Sequence, residues 1–203
     1  MLLALAGCST SNIDFNETFD RANSRINEAP LPPSNNFNKG LFSYYLPQDI
    51  GVLESNNISS VLISDDIKIF MSVNVSSVMS EKERKLTLDD TDFKLNETFT
   101  VQGRKKDKDG KVFIEQLSNN NFLLYVVVDD VFFVSSLNKV EIPRAFEKIL
   151  LVARSLEVDK AAIVAEFSNK ETFSFENEGI ELFSDSIPED GMIKDMIIEE
   201  AGD

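Results

Sequence analysis

Alternating runs of apolar and polar residues, separated by short polar turns, dominate the middle of this chain. Residues 60–64 and 67–73 flank Asp65-Asp66, and the second run places its apolar residues on one face: Ile67, Ile69, Met71 and Val73. Strict alternation predicts a half-buried strand, and a two-residue polar link predicts a hairpin. The same pattern recurs at 98–104 with 112–117 and at 122–128 with 131–135. Three hairpins in series predict an antiparallel meander.

Two of these runs are apolar on both faces, which distinguishes them from the others. Residues 123–128 and 131–134 show little alternation, so both sides should be covered, and we expect them to be the central strands. One strong helix, residues 143–156, supplies the cover, with apolar residues at helical spacing: Phe146, Ile149, Leu150, Ala153 and Leu156. Residues 159–167 fit a second helix capped by Asp159, although their β-branched residues leave a strand open.

These elements predict an α+β domain over residues 41–170, in which a meander of hairpins is packed by one or two C-terminal amphipathic helices. The first expected strand is 41–46, which ends at Pro47. Residues 8–40 read as a flexible tether that is polar and closes in a Pro-rich stretch, and a coil of this length reaches roughly 30 Å. Within it, residues 15–26 could form a short helix that is marginal unless it docks.

The order of these elements resembles the PsbP-like α/β/α sandwich. The resemblance covers residues 41–156: a strand ending in Tyr44-Tyr45-Leu46-Pro47, then strand pairs, then the amphipathic helix at 143–156. It implies an envelope lipoprotein or an accessory or assembly factor. That fold serves more than one chemistry, so the resemblance transfers no functional residues.

The N-terminal motif Leu5-Ala6-Gly7-Cys8 is similar to a bacterial lipoprotein signal. Cys8 is the only cysteine in the chain. The resemblance implies that residues 1–7 are removed and that Cys8 carries a lipid, which anchors the protein on the extracytoplasmic face of a bacterial cell membrane. Residues 1–5 contain no Lys or Arg and are shorter than the roughly 7–15 residues of a usual apolar signal core, so we expect a start upstream of Met1.

Composition and charge narrow the classes of partner. The chain has 203 residues, 42% of them hydrophobic, and a net charge of −15, which indicates one folded unit that repels nucleic acid and anionic polymers. Residues 171–203 hold eleven acidic residues and one base, Lys194. We interpret this region as acidic and partly ordered at most; a solvated tail and an interaction surface are the two alternatives.

The catalytic inventory is notable for what it lacks. The chain has no histidine and no Gly-rich phosphate loop, which removes Ser-His-Asp hydrolysis, His-ligated zinc and nucleotide chemistry. Segments 107–110 and 89–92 cluster acids but complete no twelve-residue calcium loop. We interpret Asp109-Gly110 as a hairpin turn in a loop that its basic residues make more soluble: Arg104, Lys105, Lys106 and Lys108. We therefore predict no catalytic residues, no metal site and no cofactor, and we interpret Asp65, Asp66, Asp129 and Asp130 as turn residues.

A non-catalytic binding or envelope-assembly module is the function that these observations favour. We expect a protein partner in the cell envelope, contact with the membrane through the lipid on Cys8, and no nucleic acid. The alternative is a wall-glycan hydrolase with two carboxylates, or a glycan-binding domain. Tyr44 and Tyr45 are the candidate contact residues for a ligand or partner, although strand alternation points one inward and one outward.

Overall fold

The computed structural model describes residues 13–80 and 93–168, and these form a mixed α and β structure. The helices are α1 (Phe15–Glu28), α2 (Val75–Ser80), α3 (Ile142–Ala153) and α4 (Lys160–Phe167). The strands are β1 (Phe37–Asn38), β2 (Phe42–Tyr44), β3 (Gly51–Ser55), β4 (Ser59–Ser64), β5 (Ile67–Val73), β6 (Leu95–Val101), β7 (Lys108–Gln116), β8 (Asn121–Val128), β9 (Val131–Asn138) and β10 (Glu157–Val158). None of the described helices is long and apolar enough to cross a membrane.

Seven strands form the main sheet, in the order β3-β4-β5-β9-β8-β7-β6, and every neighbouring pair is antiparallel. The three predicted hairpins are confirmed as β4–β5, β6–β7 and β8–β9. They do not follow one another as a single meander, because β5 pairs with β9 and not with β6. The prediction that the doubly apolar runs are central is also confirmed, because β9 is the middle strand and β8 lies beside it. The α+β class follows from this sheet and the helices packed on it.

Two-residue turns connect β4 to β5 and β8 to β9, as the Asp-Asp pairs predicted. The register pairs Ser64 with Ile67 and Val128 with Val131. Asp65 and Asp129 have φ values of 51° and 49°. This left-handed conformation is tolerated by Asp because its short polar side chain bonds locally.

One face of the main sheet, which we call the inner face, carries the core and the helices α1 and α3. The alternating residues of β5 all lie on it and are buried, as predicted: Ile67, Ile69, Met71 and Val73. The predicted apolar stripe of residues 143–156 is buried as well: Phe146, Ile149, Leu150 and Ala153 lie in α3, and Leu156 follows the end of the helix at Ala153. Segment 159–167 is a helix rather than a strand, because Asp159 accepts a hydrogen bond from the Ala162 amide at 3.0 Å.

Helix α1 corrects the expectation of a flexible coil before residue 41. It is capped by Asp14 and buries Phe19, Ala22 and Ile26. The Phe19 ring lies 4.4 Å from the Phe146 ring of α3 and 5.3 Å from the Phe99 ring of β6. This docking supplies the apolar contact that an isolated helix of this length lacks.

The segment after α1 is ordered too, and it changes the place of the first predicted strand. Strand β2 does not join the meander; it pairs with β1 on one side and β10 on the other in a separate sheet. The Asn35 side chain donates to the Ser43 hydroxyl at 2.9 Å, and the Asn36 side chain accepts from the Leu46 amide at 2.6 Å. Residues 35–38 therefore belong to the folded unit.

Gly110 marks a second correction, because it lies inside β7 and not in a turn after Asp109. Gly110 pairs with Phe99 across the β6–β7 ladder, and a Cβ at Gly110 would lie 2.3 Å from Cζ of the Phe99 ring. Only glycine leaves room for the ring to lie on the strand. The β6–β7 connection is consequently residues 102–107.

Candidate functional site

A cleft of about 650 Å³ lies at the end of the main sheet where β6 and β8 end and β7 and β9 begin. Residues 104–106, the turn at Asp129-Asp130, and the chain from Arg154 through β10 to Lys160 line it. We call this feature the basic cleft. Its lining includes seven cationic side chains and four carboxylates, an excess of three positive charges: Arg104, Lys105, Lys106, Lys108, Lys111, Arg154 and Lys160 against Asp109, Asp129, Asp130 and Glu157.

The β6–β7 loop is held in a tight conformation by Gly103. A Cβ at Gly103 would lie 2.3 Å from the backbone oxygen of Lys106, so no side chain fits there. This close approach presents Arg104, Lys105 and Lys106 together along one rim of the basic cleft.

The opposing acids hold these cations in place without neutralising the basic cleft. Glu157 of β10 accepts from Arg104 at 3.1 Å and from Lys105 at 3.0 Å. The hydrogen bond from Lys105 lowers the pKa of Glu157, with Arg104 adding to the effect. Lys160 of α4 lies 2.5 Å from Asp130. Lys106 likewise lies 3.8 Å from Asp129. The three lysines are themselves mostly exposed, so these ion pairs contribute little stability and the lysines are available to a ligand.

Lys108 and Arg154 form the buried wall of the basic cleft. The Lys108 ammonium donates to the backbone oxygens of Ala153, at 2.7 Å, and Leu156, where α3 ends. A cation suits this end of a helix. Burial nevertheless lowers the pKa of Lys108 to about 8. Both hydrogen bonds give the side chain a structural role.

Arg154 joins three elements behind the cleft. Its Nε donates to the Gln102 oxygen at 3.3 Å, and its Nη2 donates to the Ala29 oxygen at 2.7 Å, after α1. Arg104 differs, because its Nε is buried and no acceptor lies within hydrogen-bond distance of it in the described part of the chain. A buried donor without an acceptor is costly.

The candidate contact residues Tyr44 and Tyr45 lie away from the basic cleft. Tyr44 has no exposed surface and packs against Phe37, with ring centroids 4.8 Å apart. Burial raises the pKa of the Tyr44 hydroxyl to about 12. Tyr44 as a ligand contact is therefore wrong, because its ring completes the small sheet's core. Tyr45 is half-buried, and its contact role stays a prediction.

Several predicted features fall outside the described residues, namely Cys8, the acidic segment 89–92 and the acidic region 171–203. Within residues 13–80 and 93–168, no three carboxylate or other ligating side chains are grouped to hold a metal ion. The signal for the basic cleft was present in part: five cations lie between Arg104 and Lys111 in an acidic chain. Sequence reasoning interpreted that run as a solubilising loop.

Comparisons with known proteins name no class for this chain. No protein-family model matches it, and no curated protein matches it. A crystal structure from Bacteroides thetaiotaomicron is similar over 64% of this chain, with 12% sequence identity and a TM-score of 0.29. This chain spans 50% of that chain. A likeness at this TM-score carries no functional information, and the chemistry of the basic cleft follows from its residues alone.

Proposed function

We propose that this protein is a non-catalytic binding module, anchored by lipid on Cys8 at the extracytoplasmic face of a bacterial membrane, and that the basic cleft receives an anionic group of its envelope partner. The supporting observation is an excess of three positive charges in one cleft of a chain whose net charge is −15. A local field opposite to the overall field selects compact anionic groups, since long polyanions meet repulsion from the rest of the surface.

The position of α1 supports an orientation for this module. Phe15, at the start of α1, packs on Phe122 at the beginning of β8, with ring centroids 5.7 Å apart. Asn27, near the end of α1, bonds Thr100 and Gln102 at the end of β6, beside the basic cleft. The start of α1 and the cleft therefore lie at opposite ends of the sheet.

The segment between Cys8 and α1 is short, so the orientation of the sheet determines which of its ends lies near the membrane. Six residues separate Cys8 from Phe15, and the seven Cα steps between the two residues span at most about 25 Å. If Cys8 carries the lipid, the start of α1 lies close to the membrane and the basic cleft lies on the far side. The proposed partner is then reached away from the anchoring bilayer.

Replacement of Cys8 tests the anchor. We expect Cys8→Ala to move the protein from the membrane fraction to the aqueous fraction, and the intact mass of the wild-type protein to include acyl chains. Membrane retention of the variant would contradict the proposal. A Ser9→Ala variant is the matched control, because it changes a neighbouring residue and keeps the thiol.

Photo-cross-linking tests the basic cleft as the binding site. A photoreactive residue at Lys105 should capture a specific envelope partner, whereas the same residue at Lys139, at the opposite end of β9, should not. Substitution of Lys106 and Lys160 by Glu should abolish the adduct at position 105. An adduct that survives both substitutions would overturn the assignment. Removing residues 171–203 tests separately whether the acidic region contributes to recognition.

A wall-glycan hydrolase is the second candidate, favoured by the four carboxylates of the cleft. General acid catalysis needs a carboxyl group with a raised pKa, but Lys105 lowers the pKa of Glu157. Asp130 is a turn residue that binds Lys160 and the Ser77 hydroxyl. Release of soluble fragments from purified wall glycan by the wild-type protein, abolished in Glu157→Gln, would establish catalysis and contradict a purely binding role.

A further inference from the structure

The basic cleft is not polar throughout, because its floor continues onto the outer face of the main sheet, opposite α1 and α3. Val127, which is partly exposed, and Phe113, which is only 2% exposed, line this part of the cleft. Lys111 is the register neighbour of Val127, and its Nζ lies 4.7 Å from the Phe113 ring centroid. An apolar floor therefore adjoins the cationic rim directly.

The apolar floor extends as a row of rings across the outer face. The ring centroids of Phe113 and Tyr125 are 6.1 Å apart, those of Tyr125 and Phe132 are 6.0 Å apart, and those of Phe132 and Phe70 are 5.9 Å apart. Tyr125, Phe132 and Phe70 are only half-buried. These three rings lie beside the cleft and outside its lining, so they provide accessible aromatic surface next to the charged groups.

We infer that the basic cleft binds a small amphiphilic anion, in which a compact acidic head group carries an apolar or aromatic body. This inference rests on the proposed function, since it names the ligand class of the same cleft. The head group, a carboxylate, sulfonate or phosphate, lies among Lys105, Lys106 and Lys160. The body lies over Val127 and along the stem of Lys111, next to the nearly buried Phe113 ring.

The size of the cleft and the charge of the protein argue against two simpler ligands, a bare inorganic anion and a long polyanion. The volume of about 650 Å³ lies in the usual range for small-molecule sites, roughly 300–1,000 Å³. A bare inorganic anion would leave Val127 and the half-buried rings beside the cleft in water, and a long polyanion would meet the net charge of −15.

Two fluorescent probes that differ only in charge test this inference on the full chain. Anilinonaphthalene sulfonate has an acidic head and an aromatic body, and phenylnaphthylamine has the same body without the sulfonate. The variants are Lys105→Gln with Lys106→Gln at the head-group end, and Val127→Ser at the floor. Lys68→Gln with Lys139→Gln is the matched control, because it removes two charges far from the cleft. Circular dichroism establishes that each variant is folded.

We expect the sulfonate probe to bind saturably at one site. The neutral probe should bind at least about tenfold more weakly, which corresponds to a difference in binding free energy of about 1.4 kcal/mol. The head-group variant should lower the affinity for the sulfonate probe by about tenfold and leave the affinity for the neutral probe unchanged. Val127→Ser should lower the affinity for both probes, and the control variant should leave both affinities unchanged.

Other results would overturn the inference. Equal affinity for the two probes, or an unchanged affinity in the head-group variant, would show that charge does not contribute. Displacement of the sulfonate probe by inorganic phosphate at equal concentration would reduce the cleft to a plain anion site, which overturns the amphiphilic class and leaves the proposed function intact. Failure of the protein with the photoreactive residue at position 105, and no other change, to form an adduct would instead overturn the proposed function.

Discussion

Individual residues at the end of α3 show how burial and charge compete. Lys108 is 8% exposed, and its ammonium donates to the carbonyl oxygen of Ala153, the last residue of the helix, and to that of Leu156 just after it. The hydrogen bonds favour the charged form, but burial prevails and lowers the pKa to about 8. The structure therefore tolerates a buried cation at neutral pH because the helix end needs donors.

The lowered pKa of Lys108 predicts a rise in stability with pH. Between about 8 and 10.5, the unfolded chain binds a proton that the folded chain has released, so the free energy of unfolding increases with pH. The rise is at most about 3 kcal/mol. Lys108→Met should lack this component in urea unfolding followed across that range, whereas the exposed control Lys68→Met should retain it. Parallel curves for Lys108→Met and wild type would contradict the prediction.

Gly110 provides a second prediction at the residue scale. An alanine Cβ would meet the Phe99 ring, which would have to leave its contacts with Phe19 and Phe146. We expect Gly110→Ala to lower the free energy of unfolding by about 1–3 kcal/mol. In a Phe99→Ala background the same substitution should cost much less, and additive effects in this double-mutant cycle would refute the mechanism.

At the scale of elements, local pattern and tertiary contact contribute differently. The hairpins follow from alternation and from Asp-Asp turns, which act over a few residues. Helix α1 has a recognisable apolar face, with Phe15, Phe19, Ala22 and Ile26, but its sequence neighbours are polar. Its formation depends on a cluster of Phe rings from α3 and β6 that lie far away in the chain. Sequence reasoning had no means to find that partner.

The docking of α1 predicts a measurable change on removing its central ring. Phe19→Ala should destabilise the protein by about 3–5 kcal/mol, the usual cost of removing a buried Phe side chain. Trypsin should then cleave sooner at Arg21 and Arg25, both within α1. The neighbouring Asp20→Ala substitution, at an exposed position, is the control. Unchanged cleavage rates in Phe19→Ala would indicate that α1 does not depend on this contact.

Under the proposed function, the two ends of the main sheet have different roles: one binds the partner and the other faces the membrane. The basic cleft lies at one end of the main sheet, and the start of α1, seven residues after Cys8, lies at the other. Strand β8, which runs between these ends, has eight residues and is about 27 Å long. A lipid-anchored domain on so short a connection would keep the basic cleft away from its own membrane.

Depth-dependent quenching tests this arrangement in lipid vesicles. With Cys8 acylated, a single introduced cysteine at Lys105 or Lys139 carries a fluorophore, and the vesicles contain a headgroup spin label. We expect strong quenching at position 139 and weak quenching at position 105. Equal quenching at the two positions would contradict the orientation. A label at Lys68, on the outer face, provides an intermediate reference.

The sequence by itself determined the hairpins, the central strands and the main helix, because alternation, double-faced apolar runs and helical spacing are local patterns. It also carried the motif at Cys8 and the basic run from Arg104 to Lys111. Only the tertiary structure decided that α1 docks, that Tyr44 is buried, and that the basic run meets Glu157 and Lys160. Those outcomes depend on contacts between distant segments, and no local pattern specifies which distant surfaces will be close enough to touch.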